Sequence, residues 1–221
     1  EAGAGTGAFA GQVVLSADYV VAPALHAPME VRSASARVEA GHAEIWVASQ
    51  APGACRKAVA AALGQSERAV TLYPMPAGGA FDAGLEHDVA VQAALIARAM
   101  RRPVQLSWTR TEEILRDYPR PPARARLQAS LTTGATIDAW HALIATPPAR
   151  HEWWRRQAGA TADAARRASA GQVDAAAVAG ASPPYAIPNL AIDHVPVDTG
   201  LPAGRWRGNA ESLTTFFTES F

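Results

Sequence analysis

The sequence predicts an α+β fold of mixed, largely antiparallel sheets with packed helices. Three observations carry this. Strand-like and helix-like segments are interleaved without a strict βαβ rhythm. Two pairs of alternating segments face each other across short turns, at "EAGH" (39–42) and around Gly134. One long stretch has clean helical periodicity.

Taken in order, "GQVVLSADYVV" (11–21) has a strand composition. "PMEVRSASARV" (28–38) alternates and reads as a second strand, and "AEIWVAS" (43–49) as a third. A helix is expected over 53–63, stopped by Gly64, and a strand over 68–75. From Glu86 to Arg102, the residues Val89, Ala93, Ile96 and Met100 recur at helical spacing. Acids at its start and arginines at its end suit the helix dipole, and Pro103 stops it. "PVQLSWT" returns as a strand, and "TEEILRD" as a helical turn with Thr111 as its cap. "PRPP" (119–122) is a loop, and 124–133 with 136–146 form a hairpin. "LAIDHVPVD" is a strand, and a helix starts at "NAESLTTFFTESF" with Asn209 as cap. This gives a first domain over 1–148, an Ala/Arg-rich, partly helical insertion over 149–185, and a closing segment over 186–221.

Bulk properties exclude several classes. The 221 residues carry 49% hydrophobic and 18% charged side chains, normal for a globular chain. It opens on Glu1 rather than Met, which reads as a trimmed piece. No stretch nears the ~18 apolar residues of a membrane span. Twenty basic and twenty acidic residues cancel, which speaks against nucleic acid as a partner. Heavy use of Ala and Arg fits a GC-rich bacterial genome. The single cysteine, Cys55, excludes an intrachain disulfide and a thiolate cluster. Arg56 and Lys57 beside it would favour a thiolate, and burial in a helix an inert thiol.

Chemistry-bearing candidates are few. The six histidines form no ligand pattern, so a protein-ligated zinc is not expected. His26 and Glu30, four apart, share a face in a strand, as an oriented imidazole or a buried one bonded to backbone. His87 beside Asp88 reads as a capping residue. Trp153, Trp154, Arg155 and Arg156 form either a stacking patch or a face packed on another subunit. "PAGGAFDAGLEHD" (76–88) places glycines between a strand and a helix, where amides can approach an anion. It lacks both the Walker and the dinucleotide spacing, and on spacing alone a tight structural turn is the favoured reading.

Four segments in order change this picture. "LHAPMEVRSASARV", "AEIWVASQAPGACRKAVAAALG", "GGAFDAGLEHDVAVQAALIARAMRRPVQLSWTRTEEILRD" and "GLPAGRWRGNAESLTTFFTESF" resemble the molybdenum-cofactor-binding subunit of the xanthine oxidase family. The likeness is nearest to the isoquinoline 1-oxidoreductase beta-subunit and related aldehyde dehydrogenases, and leaves out 149–185. It implies molybdopterin cytosine dinucleotide as cofactor, with the metal held by the pterin's dithiolene rather than by side chains. It implies hydroxylation of an N-heterocycle or oxidation of an aldehyde with oxygen from water. It further implies electron transfer to a partner iron–sulfur subunit carrying 2Fe–2S clusters.

The family's G-G-G-F-G turn falls on Gly78, Gly79, Ala80, Phe81 and Asp82, with the amides toward the cofactor and Phe81 toward substrate. Its W-R-x-x-G-x-S loop falls on Trp206 to Ser212, with Arg207 and Gly208 facing the cofactor. Three family glycines are replaced, by Ala80, Asp82 and Ala210, and Glu211 stands where relatives often carry His. An alanine forced to positive φ costs roughly 1–2 kcal/mol. A carboxylate ~4 Å from an anionic ligand is repelled by about 4 kcal/mol at a dielectric near 20. These losses admit a rival reading, a non-catalytic scaffold or assembly domain that has lost the cofactor. A plain small-molecule binder is a third. The family's catalytic glutamate matches no residue here, so the isolated chain is expected not to turn over.

Overall fold

The structure is a computed structural model and describes residues 13–221. Contacts divide the described chain into a mid-chain unit, Leu25–Tyr118 with Gln157–Gly159, and an end unit of residues 13–24, Pro119–Arg156 and Ala160–Phe221.

The end unit begins with β1 (Val13–Val21). The first two residues of the expected strand, 11 and 12, lie outside the described residues.

The mid-chain unit holds β2 (Ser33–Glu39) and β3 (His42–Val47), then α1 (Pro52–Leu63), β4 (Val70–Pro74), α2 (Asp88–Met100), β5 (Val104–Ser107) and α3 (Arg110–Leu115). Its sheet runs β4-β3-β2-β5. β2 pairs antiparallel with both β3 and β5, while β3 and β4 are parallel, joined across α1. A hairpin with φ of 48° at Ala40 and 79° at Gly41 links β2 to β3, because positive φ at both central positions matches the strand twist. Pro52 opens α1 at a position that needs no amide, and Gly64 at φ 63° closes it.

The core of this unit is built on small residues. Ala34, Ala36, Ala43, Ile45 and Val47 line one sheet face against Cys55, Val59, Ala60 and Leu63 of α1 and Val89, Ala90, Ala93, Ala94 and Ala97 of α2. Facing alanines let helix backbone and sheet approach closely, leaving no room for larger side chains.

Several boundaries differ from expectation. Residues 28–32 are not strand; β2 begins at Ser33, because Ala27 turns at φ 38° and the segment bends at 29–30. Glu86 is extended, with ψ of 151°, and a 3-10 turn at Ala83–Leu85 precedes α2. Arg101 ends α2 in the left-handed region, so neither Glu86 nor Arg102 is in the helix. Thr109, not Thr111, caps α3, its hydroxyl accepting from the Glu112 amide at 3.1 Å.

The end unit continues with β6 (Ala123–Leu131), β7 (Ile137–Thr146), α4 (Ala149–Gln157, whose last residue groups with the mid-chain unit), α5 (Ala162–Ser169), β8 (Asn189–Pro196) and α6 (Glu211–Ser220). Its sheet runs β1-β6-β7-β8. The β6–β7 hairpin stands as expected, and β8 joins β7 in parallel after the crossover through α4 and α5. Leu127, Trp140, Ala142 and Ile144 meet Leu213 and Phe217 of α6 in its core. Most strand pairs are antiparallel and both sheets are mixed, the α+β class read from the sequence. No helix among the described residues is long and apolar enough to cross a membrane.

Ala93 has no exposed surface at the α2–sheet contact. Ala93→Leu should therefore lower stability by roughly 1–3 kcal/mol through overpacking, read as a lower denaturant midpoint with an unchanged m-value.

Candidate functional site

Residues 75–82 connect β4 to the 3-10 turn ahead of α2. Gly79 takes φ of 92°, Phe81 51° and Asp82 78°. Ala80 is not in the left-handed region, so the strain expected there falls one and two residues later. Asp tolerates this region through its short polar side chain, whereas Phe rarely enters it. Gly78 does not take a positive φ, and a Cβ there would lie 2.7 Å from Oε2 of Glu30, an exposed side chain that can swing aside. At Gly79 a Cβ would come within 3.2 Å of the Phe81 ring, which is 40% exposed.

Gln50, in the link between β3 and α1, fixes this turn. Its amide donates to the Gly84 carbonyl at 2.9 Å, and its Oε1 accepts from the Gly84 amide at 3.1 Å. Its Nε2 donates to Asp82 Oδ1 at 3.2 Å. The Asp82 carboxylate is thus held by Gln50, and Asp82 does not line the adjoining cavity. That cavity, about 210 Å³, is bordered by Glu30, Arg32, Trp46, Met75, Ala80 and Glu86, among others. Among the described residues, no hydrogen bond takes up the amides of Gly78, Gly79, Ala80 or Phe81. Four successive unspent donors in an exposed turn suit an oxygen-rich ligand.

The second bend lies in the end unit. Gly208 takes φ of 88° and Asn209 45°. Ala210 sits at φ −68°, in the ordinary right-handed region, and a glycine is not needed there. Asn209 does not cap α6. Its Oδ1 accepts from Arg205 Nη2 at 2.9 Å and its carbonyl accepts from Ser212 Oγ at 2.8 Å. The N-cap position is Ala210, with no side-chain bond. Arg207 and Gly208 are exposed, and Arg207 makes no ion pair among the described residues. The Arg207 and Gly208 amides are likewise untaken among the described residues. Arg205 and Trp206, on the other side of the bend, line a cavity of the end unit instead.

The remaining candidates resolve into structural roles. His26 pairs with Asp117, not Glu30: Nδ1 lies 2.8 Å from Oδ1, and the His26 amide donates to Oδ2 at 2.8 Å. Burial would raise the Asp117 carboxyl, but the His26 ring and amide, helped by Arg32, hold it below the usual range. His87 is buried and its Nε2 meets Gln157 Oε1 at 2.6 Å. Trp153 and Trp154 meet edge-on at 4.8 Å, and the Arg205 guanidinium lies 5.1 Å over Trp153. Arg155 donates to Ser169 Oγ at 3.0 Å, tying α4 to α5, and of the two rings Trp154 is the well exposed one. Cys55 is buried, and burial pushes its thiol up to about 12. No three His, Cys, Asp or Glu side chains among the described residues converge as a metal would need.

Gln50, Asp117 and Arg205 were not among the candidates read from sequence. Nothing in "RWR" separates Arg205 from Arg207, since residues two apart in extended chain share a face. Nothing local marks Gln50 or Asp117, whose partners are 32 and 91 positions away.

An α+β domain with an amide-rich glycine turn at the carboxyl ends of two parallel strands is a ligand-cradling domain. The chain belongs to the molybdopterin cofactor-binding domain family, which it matches over residues 1–221. It is 34% identical over 106 residues to the beta subunit of isoquinoline 1-oxidoreductase of Brevundimonas diminuta, covering 48% of this chain and 14% of that protein. It is 32% identical over 99 residues to the B subunit of nicotinate dehydrogenase of Pseudomonas putida, covering 45% of this chain and 8% of that one. The chain therefore matches a small part of each of these curated relatives. Aldehyde oxidoreductase from Desulfovibrio gigas aligns with a TM-score of 0.72 at 19% identity, over 96% of this chain and 22% of that one. Quinoline 2-oxidoreductase from Pseudomonas putida 86 gives 0.72 at 20% identity, over 93% and 25%. At these identities the structural likeness is one of fold.

Two expectations follow from the geometry. Gly79→Ala should lower stability by about 1–2 kcal/mol, whereas Ala210→Gly, which restores the family's glycine, should also lower it, by about 1 kcal/mol or less, because it loosens a right-handed backbone and removes a buried methyl. Melting midpoints of the two variants test this. Cys55 should not react with a thiol reagent at pH 8 until the chain unfolds. Because its folded pKa of about 12 exceeds the unfolded value near 9, its contribution is complete below about pH 9 and is lost as pH rises toward 12.

Proposed function

We propose that this chain forms the first cofactor-contacting part of the large subunit of a molybdenum hydroxylase. The observation that carries it is the run of unspent amides at Gly78, Gly79, Ala80 and Phe81, in a family whose domain binds molybdopterin. These residues fit the group through their unspent backbone donors: Asp82 is held by Gln50, while the Glu30 carboxylate beside Gly78 and the Phe81 ring beside Gly79 must swing aside to admit it.

In this reading the Gly78–Phe81 amides donate to the cofactor's oxygen atoms. Phe81, exposed beside them, borders the substrate space. In the end unit, taken by itself, Arg207 and Gly208 are the residues that the family resemblance assigns to the cofactor, Arg207 with an exposed guanidinium and Gly208 with an unspent amide at φ 88°. The bound group, as molybdopterin cytosine dinucleotide, supplies the two-electron oxidation of an N-heterocycle or aldehyde with oxygen from water. Electrons pass to a partner subunit with 2Fe–2S clusters. These 221 residues contribute positioning, and none of them matches the family's catalytic glutamate.

The scaffold reading rested on Ala80, Asp82 and Ala210. Ala80 and Ala210 carry no left-handed strain, and Asp82 is tied to Gln50. The cofactor-binding reading is therefore the better supported of the two.

The test is metal and nucleotide content of the complete subunit purified with its partner. One molybdenum per chain, with a cytosine nucleotide released by acid, is the expected result. Gly78→Val should cut molybdenum content about tenfold, the loss of ~1.4 kcal/mol of binding, because the added side chain shields the amides. A metal-free, folded preparation matured alongside an active relative would overturn the proposal.

A further inference from the structure

The sheet of the mid-chain unit ends at β5, which has β2 on one side and no described strand on the other. The register shows which groups that edge offers. The Trp108 amide donates to the Arg32 carbonyl at 3.0 Å, across the pair next to Ser33 and Ser107. Because an antiparallel ladder alternates, Val104 and Leu106 also turn their backbone toward β2, and Gln105 and Ser107 turn theirs outward. Among the described residues no hydrogen bond takes up these outward amides and carbonyls.

A groove runs beside this edge. It measures about 490 Å³ and lies between α2 and β5, bordered by Ile96, Met100, Arg102, Pro103, Val104 and Leu106. Ile96 and Met100, four apart on α2, are exposed, while Val104 and Leu106 are half-buried against the core. None of these six borders the cavity beside the glycine turn, so the groove is a different surface from the proposed cofactor site.

Free backbone groups beside an apolar groove suit an extended chain, whose main chain adds to the sheet while alternate side chains enter the groove. Charge selects which chain. Arg102 is the one charged residue bordering the groove, and neither it nor Arg101 makes an ion pair among the described residues. A second copy pairing edge to edge cannot answer that charge, since "RRPVQLSW" (101–108) holds no carboxylate. The opposite edge of the sheet differs. Beside β4 the rim carries both signs of charge, with Arg56 and Glu67 paired at 3.5 Å. We propose that the groove between α2 and β5 takes an acidic, extended segment of a partner protein as a further strand. Run antiparallel to β5, the segment sets apolar side chains opposite Leu106 and Val104 and, two residues on, a carboxylate at Arg102.

Fluorescence anisotropy on the complete subunit tests this with the labelled peptide Ser-Val-Ser-Val-Ser-Glu-Ser. One control carries glutamine in place of glutamate, and another is N-methylated at the third residue, whose amide faces the Gln105 carbonyl. Glutamine should weaken binding about two- to fivefold, the range of an exposed ion pair. Methylation should weaken it about fivefold or more through the lost main-chain bond. Arg102→Gln should erase the preference for the glutamate peptide, and Met100→Glu should cut binding about tenfold by placing a charge in the apolar groove. Both side chains are exposed, and circular dichroism confirms that the variants fold. Equal affinity for the plain and methylated peptides overturns the proposal. So does the absence of binding at millimolar peptide, the result expected where another part of the same subunit fills the groove. Self-association of the subunit that Met100→Glu abolishes assigns the groove to a second copy and overturns it too. None of these readouts depends on molybdenum.

Discussion

The hold of Gln50 on the 78–84 turn is the interaction on which the proposed site depends. Parallel pairing of β3 and β4 puts the carboxyl ends of both strands side by side. The link after β3 carries Gln50, and the link after β4 carries the glycine turn. Three hydrogen bonds from one residue then join the two links. Because Gln50 binds at Gly84 and Asp82, on the far side of the turn, it leaves the amides of Gly78 to Phe81 unspent. A turn stabilised from within would consume those donors. Stabilised from a neighbouring link, it can keep its shape and still offer them.

The backbone at each replaced family glycine shows what the replacement demands of it. Glycine is required where φ is positive or where a Cβ would collide, and not elsewhere. Gly79 meets the first condition and is retained, whereas a Cβ at Gly78 would meet only the movable Glu30 side chain. Ala80 and Ala210 meet neither. Asp82 does occupy a left-handed position, and the Gln50 bond that compensates it also keeps its charge off the cavity wall. The glycine pattern of a motif is thus a record of backbone constraints position by position.

Local chemistry made most elements legible. Pro52 and Gly64 bracket α1, and Ala40–Gly41 marks its hairpin, because φ preferences act within a few residues. Periodicity located α2 but overran both ends. The 3-10 turn at Ala83–Leu85 depends on Gln50, and Arg101 gives no glycine-like stop signal. Cap assignment failed at α3 and α6 because two plausible residues stood close together. Thr109 rather than Thr111 has the extended backbone a cap needs, and Asn209 spends its side chain on Arg205. The proposed site is read from family resemblance alone at the glycine turn, and neither its clamp Gln50 nor the structural partner Asp117 was legible. Ion pairs and clamps across 30 to 90 residues leave no periodic trace.

Charge placement in the end unit follows from its crossover. β7 and β8 are parallel, so the chain must cross the sheet between them, and it does so through an Ala/Arg-rich stretch. Alanines allow α4, α5 and the 3-10 turn at Ala175–Val178 to lie close, but they supply little apolar area. Buried polar pairs take up part of the load. Glu152 accepts from the Ala203 amide at 2.8 Å with Arg156 nearby, and burial still holds its carboxyl above the usual range. Asp174 ties the 3-10 turn to β8 through His194. A crossover held by polar groups specifies position well, because each must be satisfied by one geometry. It also leaves places between small side chains where a polar atom can go unmatched, and Asp174 Oδ2, buried with no partner among the described residues, is such an atom.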